Sequence, residues 1–487
     1  MRSSFLACLA LAGCHLVSGL TEFELGDGGS NASGGSSATG GGGSAGSAGV
    51  GGNGVAGGEL LWATSFASSD HERGRGVAMA PGEVVVTAAF FGALELDMPG
   101  QVVSSAGGTQ DAALIRLDPG SGAVTGQPTS VGGVGSELPR AVAVGPDGST
   151  YLCGSYQDTF TFAGSTTPDP GTDVDAGFVA AWGSTGAPRW VRTFLSPGQL
   201  FARCHGVAVD ETGVYVVGYF TDDLDWAGSD QSANGKSGFV AKLGADGTAL
   251  DVAVLDASGG DVDLHSIALA GSGRPVICGE LGGSVSGDFD LGFVGDGLDM
   301  LVVQLDSALS PVWQRVVGGT GDQVGEWLSA NDAGEVVVGA IYGETLSVGV
   351  DNVAVESDEA AVIGFDAQGD VRWARTFVGT GNDRMRSVFL DDAGQTFLAL
   401  GFEETLSFDG RNATAQETDV LLARLDAEGN VAWHVQLGGP GFDTPWGIAE
   451  HDGVVVATGE YREPVTIMNV PLKSGPSSNW WVAAFSR

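Results

Sequence analysis

The sequence predicts an all-β protein: a seven-bladed β-propeller of four-stranded antiparallel blades, with the ring closed by the N-terminal strand pairing with the C-terminal blade. The first observation behind this is a repeat of about sixty residues, present seven times. An apolar residue ahead of a turn recurs as Leu117, Trp182, Leu243, Leu305, Phe365, Leu425 and Phe485, in steps of 65, 61, 62, 60, 60 and 60 residues. A second apolar position recurs as Val77, Val142, Val207, Ile267, Leu328, Val388 and Ile448, in steps of 65, 65, 60, 61, 60 and 60. Self-similarity at a fixed period marks one supersecondary unit stacked on copies of itself.

The second observation is what each copy contains. Short runs rich in Val, Phe, Tyr and Trp, such as VYVVGYF (214–220) and GFVAKL (238–243), have the composition of half-buried strands. Turn signals separate them: PDG (146–148), DETG (210–213), NDAG (331–334), DDAG (391–394), DAEG (426–429) and HDG (451–453). Gly supplies the positive φ of a tight turn and Asp caps its own backbone. No copy carries an apolar stripe of helical period over several turns, so each unit reads as a four-stranded meander. Radial arrangement leaves only short, protected edges, and roughly four to eight such sheets make a ring. A linear array would need polar capping repeats at both ends, and neither end has that composition.

The third observation lies at the chain ends. In four copies a Trp follows the repeated apolar position by eight residues: Trp190, Trp313, Trp373 and Trp433. The last copy stops at Arg487, two residues after Phe485, so its Trp strand is missing. An orphan strand with that pattern, LLWATSF (60–66), stands ahead of the first copy. Trp62 is therefore expected in the empty slot, with its strand paired to NWWVAAFSR (479–487). Such closure removes two free sheet edges.

Ahead of the propeller (59–487) lie two segments of other character. Residues 1–13 read as an export signal: Arg2 precedes FLACLALAG, an apolar run too short to span a bilayer. It ends in Leu11-Ala12-Gly13-Cys14, which resembles a bacterial lipobox and implies a lipid on Cys14. Residues 14–58 then form a tether. From 26 to 58 they are almost all Gly, Ser, Ala and Asn, a composition that buries too little apolar surface to order itself. The expected address is extracytoplasmic, held to the outer membrane or cell surface by the lipid, as a monomer. The net charge of −39, from 60 acidic against 21 basic residues, argues against nucleic acid or an anionic membrane surface as a partner.

No GxSxG, HExxH or CxxC motif is present in the repeats. The one constellation in register sits two residues before the second repeated apolar position: Arg75, Arg140, His205, His265, Glu326, Arg386 and Trp446. Ring symmetry would gather these at the mouth of the central channel. Two readings are open. They bind an anion or an acidic glycan, with Trp446 stacked on a sugar face, or they pair with acidic neighbours and pack the blade ends. Acidic clusters form a second candidate: Asp169, Asp173 and Asp175; Asp222, Asp223 and Asp225; Asp288, Asp290, Asp296 and Asp299. Calcium wants several oxygens held close, whereas solvated loops and Asx turns need no ion. No cofactor is expected, with Ca²⁺ the one candidate. Asp111, Asp299 and Asp419, at the start of the third strand, read as turn residues. Of the blade cysteines Cys153, Cys204 and Cys278, a Cys153–Cys204 disulfide is compatible with an oxidising address. Three buried thiols are the alternative.

The repeated wording, a strand then DxxGxVxW then GVAVDxxGxVYVVGxF, resembles the seven-bladed β-propeller repeats of bacterial surface lipoproteins, the SBBP-type repeat, over residues 60–487. With the lipobox and Gly/Ser tether it is similar to exported lipoproteins of myxobacteria. The resemblance implies a propeller and an exported location and carries no catalytic motif. Two functions follow as expectations. One is a surface-anchored, non-catalytic scaffold for a protein or glycan ligand; the other is a propeller enzyme acting on extracellular polysaccharide. A carboxylate pair in a sugar-sized pocket would favour the enzyme, and shallow loops around a plugged channel the scaffold.

Overall fold

The computed structural model describes residues 57–487, except 69, 97–101, 199, 272, 349–350, 355–357 and 474–476. The export signal, Cys14 and most of the tether lie outside the described residues. Those described are all-β, with no helix among them.

Each repeat copy is an antiparallel meander. The first copy orders Glu72–Ala80, Glu83–Phe90, Asp111–Leu117 and Val124–Val131 side by side. Copies two, three and four form separate four-stranded sheets of the same order. Copies five and six share one eight-stranded sheet, because Val378 and Gly379 at the end of one pair with Ser407 and Leu406 of the other. The seventh copy supplies Asp443–His451, Val454–Tyr461 and Asn479–Ser486. Its fourth strand is Leu60–Phe66, antiparallel to the C-terminal strand in the register Leu60–Phe485 and Trp62–Ala484.

The second and third strands explain why these runs are almost uniformly apolar. AAVIGF and VLLARL do not alternate, because both of their faces are covered by neighbouring sheets. Seven core clusters fill the gaps, and each draws on two consecutive copies. Tyr215 and Val217 of the third copy, for example, pack with Ile267 and Leu301 of the fourth. Trp62, Phe66, Val456 and Trp480 pack with Val84, Ile115 and Leu117 of the first copy. The first strand of every copy neighbours those of the copies before and after it, and Glu72–Ala80 neighbours Asp443–His451.

The fourth-strand Trp packs on the turn of the next copy. Trp62 donates from Nε1 to Pro119 O at 2.8 Å, and Trp190 to Ala245 O at 2.9 Å. A glycine is required in each turn for two reasons, seen at Gly122. Its φ is +69°, and a Cβ there would stand 2.4 Å from the Trp62 ring. In the seventh copy this turn is made from both chain ends. Gly58 N donates to Ser486 O, Ser486 N donates to Glu59 O, each at 2.8 Å, and the Trp433 ring lies against Gly58.

Cys153, Cys204 and Cys278 are free, buried thiols, and no Cys153–Cys204 disulfide is formed. Cys153 and Cys204 share one core cluster as small apolar side chains, one on each of two facing sheets. Cys278 donates its S–H to Gly325 O at 3.2 Å. Burial pushes the Cys153 thiol up to about 12, so it is not a nucleophile.

Candidate functional site

The seven residues singled out by register share one backbone feature. In every copy the first strand carries a β-bulge, and Arg75, Arg140, His205, His265, Glu326, Arg386 and Trp446 are the extra residues at those bulges. A bulge leaves one residue outside the ladder and re-aims its side chain. Because the first strands neighbour one another, the re-aimed side chains meet.

They meet in two groups. The Arg75 and Arg386 guanidiniums each lie 4.4 Å from the centre of the Trp446 ring. Trp446 is buried, so the surface expected to stack on a sugar is occupied by cations. Exchanging Arg386 for Met keeps the aliphatic stem and removes the cation–π term. The expected result is a loss of about 1–2 kcal/mol in urea unfolding, with the folded spectrum unchanged.

In the second group the His205 and His265 ring centres are 5.6 Å apart. His265 Nδ1 lies 3.4 Å from Glu326 Oε2. Asp263, two residues before His265 on the same strand, approaches both imidazoles. Its Oδ1 is 3.2 Å from His205 Nδ1, and its Oδ2 is 3.7 Å from His265 Nε2. Lys236 Nζ is 2.7 Å from Asp263 Oδ2 and 4.0 Å from Glu280 Oε1. Asp263 and Glu280 are cross-strand partners and both buried.

The electrostatics separate the two imidazoles. Burial lowers His205, and the pull of Asp263 does not make up the difference. Burial acts on His265 in the same sense, but Asp263, Glu326 and Glu280 outweigh it and hold it up at about 9. Burial would raise Asp263, but His205, His265 and Lys236 bring it well below the usual carboxylate range. Glu326 is likewise held low against burial by His265 and Arg386. Glu280 is raised, by burial first, to about 7. Arg140 acts on His205 through its charge.

The acidic loops resolve into local structure. Asp169 Oδ1 accepts from Gly171 N at 2.8 Å, Asp225 Oδ1 from Gly228 N at 3.0 Å, and Asp222 Oδ1 from Gly235 N at 3.1 Å. Asp175 pairs with Arg203. Asp111, Asp299 and Asp419 are more than turn residues. All three are buried, and Asp111 and Asp299 accept backbone N–H groups from the loops before them.

A second acid position lies at the start of the first strand: Glu72, Glu137, Gln323, Asp383 and Asp443, all buried. Each follows the end of the preceding copy's sheet, and the backbone N–H groups of Glu137, Gln323 and Asp383 donate to Gln110, Leu298 and Asp358. The acids that begin the third strands therefore sit beside these. Burial, then the Asp111 charge, push Glu137 up to about 9. Burial, then Glu359, push Asp383 up to about 9. Burial is also the leading cause at Asp443, raised to about 8, with Asp419 contributing.

Asp263, Glu280, Lys236 and the junction acids were not singled out by sequence. Asp263 and Lys236 occur in one copy each and Glu280 recurs only as Glu460, so the repeat does not flag them. The junction acids do carry a signal, GGVGSE (132–137), GGTGDQ (318–323) and GGPGFD (438–443).

No known protein family matches the chain, and no curated protein matches it. Solved structures similar in part include the following three. Virginiamycin B lyase from Staphylococcus aureus is 9% identical, covering 88% of this chain and 99% of that one with a TM-score of 0.40. An ulvan lyase is 8% identical, covering 80% and 91% with a TM-score of 0.39. The extracellular domains of Drosophila semaphorin 1b are 8% identical, covering 88% and 87% with a TM-score of 0.30. At these scores none of the three carries an argument about activity or ligand.

Proposed function

We propose that the protein is a seven-bladed propeller, closed by its N-terminal strand and anchored outside the cytoplasm through a lipid on Cys14, that binds a ligand without transforming it. The pairing of Leu60–Phe66 with Asn479–Ser486 supports closure, as does the core shared by the last copy and the first. The Leu11–Cys14 motif and the Gly/Ser tether support the anchor. One observation carries the non-catalytic reading. The paired carboxyl groups are buried in the junctions between sheets, and the bulge residues are engaged with one another, so neither set faces an open, sugar-sized cleft.

The open surface is of another kind. A groove of about 460 Å³ is lined by Val294, Val316, Gly318, Gly319, Thr320, Thr345 and Ser347, none of them titratable. General acid–base chemistry needs a titratable group within hydrogen-bond reach of substrate. Recognition then falls to the loops and hairpins beyond the second and third strands. The longest of these are Gly213–Trp226 with Ser229–Leu243, and Thr396–Phe408 with Arg411–Leu425.

The test is a glycan array probed with the full-length protein, run beside a chain-length assay on the same polysaccharides. Retention of a glycan whose length stays constant is the expected result. Shortening of any polysaccharide, abolished by substituting a carboxylate, would replace this reading with that of a polysaccharide-acting enzyme.

A further inference from the structure

We propose that His205, Asp263 and His265 form a binding site for one divalent transition-metal ion of the zinc type, with Glu280 as the fourth ligand. One donor atom from each of the three residues lies within 4.8 Å of the others. Ligands about 2.0–2.2 Å from a tetrahedral ion are themselves roughly 3.4 Å apart. The 3.2 Å from His205 Nδ1 to Asp263 Oδ1, and the 3.7 Å from His265 Nε2 to the other oxygen of that carboxylate, lie either side of that separation. Glu280 Oε2 stands 3.9 Å from His265 Nε2. The cluster needs only a small contraction to close on an ion.

A second observation points into the same space. Asp263 and Glu280 are each 5% exposed. Glu280 Oε2 and His265 Nε2 are buried with no hydrogen-bond partner. Buried polar atoms are nearly always satisfied, and leaving one bare costs roughly 1–3 kcal/mol. Here two such atoms lie 3.9 Å apart, and a cation between them satisfies both.

The surrounding groups already have the arrangement of an outer shell. Metal-bound histidines hand their other ring nitrogen to a carboxylate, which fixes the ring. His265 does this: Nδ1 faces Glu326 Oε2 while Nε2 faces the cluster. Lys236 holds Asp263 by Oδ2, leaving Oδ1 on the side of His205. Two imidazoles and carboxylate oxygens select a zinc-type ion over Ca²⁺, which prefers six to eight oxygens. The site depends on the bulges, since in a regular ladder His205 and His265 would not be re-aimed toward each other.

The experiment is equilibrium dialysis of Zn²⁺ against the full-length protein after chelator treatment, with Co²⁺ as a spectroscopic substitute. One equivalent of Zn²⁺ and the intense visible bands of four-coordinate Co²⁺ are expected. His205→Gln and His265→Gln each remove a ligand and should abolish both signals. Glu326→Gln removes only the outer-shell partner and should weaken binding by roughly 10–100-fold. His71→Ala and His451→Ala, at histidines outside the cluster, control for binding elsewhere. Should a ligand variant fail to fold, the wild-type protein still decides. Uptake below one equivalent, or a six-coordinate Co²⁺ spectrum, overturns the site. So does Zn²⁺ binding that survives both histidine substitutions or is lost with His71→Ala or His451→Ala.

Discussion

Stability will fall as pH rises from 5 to 8, and the triple variant Glu137→Gln, Asp383→Asn, Asp443→Asn will abolish most of that fall. The three carboxyls sit at about 9, 9 and 8 in the folded protein, against ordinary values of 4.5, 3.8 and 3.8. A carboxyl raised by folding holds a proton that the unfolded chain has released. Its stabilising contribution is complete below the unfolded pKa, near 4, and disappears as pH climbs toward the folded pKa. The window is therefore pH 4 to 9, and the slope is opposite to that of an ordinary salt-bridged carboxylate. Facing groups make the effect steeper. Glu137 meets Asp111 and Asp158, Asp383 meets Glu359 and Glu403, and Asp443 meets Asp419 and Glu417. Only backbone N–H groups oppose them, among them Gly133 and Gly439.

The repeat contains its own control. The fifth copy has Gln323 where copies one, two, six and seven have an acid, and its Nε2 donates to Thr320 O, Gly321 O and Thr345 O at 3.0, 3.1 and 2.9 Å. A neutral amide is thus already compatible with the position. One pKa unit corresponds to about 1.4 kcal/mol. For three groups a loss of at least about 3 kcal/mol between pH 5 and 8 is expected, with a Tm lower by about 5 °C. Thermal melts across this range decide it. The overall charge of −39 pushes in the same direction, so the variant is the discriminating arm. A triple variant whose Tm falls in parallel with wild type would show that the junction acids are not responsible.

What the sequence made legible, and what it hid, follows from whether a feature repeats. Val77, Val142 and their counterparts stand out because each lies near the gap between two sheets, a place that recurs in every copy. The slot for Trp62 was legible because four other Trp residues define it. The first-strand position of Arg75, Arg140, His205, His265, Glu326, Arg386 and Trp446 was legible as a register, but the bulge was not. Its one extra residue leaves the hydrophobic pattern on either side intact, so neither composition nor period reports it. Which side chains then meet depends on residues present once only. Asp263 and Lys236 convert two histidines into a charged cluster, and the coincidence of Arg75, Arg386 and Trp446 makes a cation–π stack. The absence of a Cys153–Cys204 disulfide has a related reason. The second strand of one copy and the first strand of the next are brought into one core, but sharing a core sets no S–S geometry.

Removing the first strand will lower Tm by more than about 10 °C and expose an edge that aggregates. Phe66 is fully buried, with its ring 4.7 Å from that of Trp480. Trp62 fills the cavity over Gly122 and donates to Pro119 O. Phe66→Ala alone should cost about 3–5 kcal/mol, the usual range for a large aromatic emptied from a core. Deletion through Phe66 goes further, because it also leaves Asn479–Ser486 without a ladder partner along its outer side. An N-terminal strand in most folds frays at little cost. Here it joins the last copy to the first, so the loss is felt in a core cluster that spans both. A synthetic peptide of residues 57–67 supplied in trans should bind the deletion variant and restore most of the melting temperature, since every contact it makes is non-covalent. A deletion variant that stays monomeric and melts with the wild-type protein would mean that the seventh sheet is stable with three strands, and that the chain ends do not hold the array together.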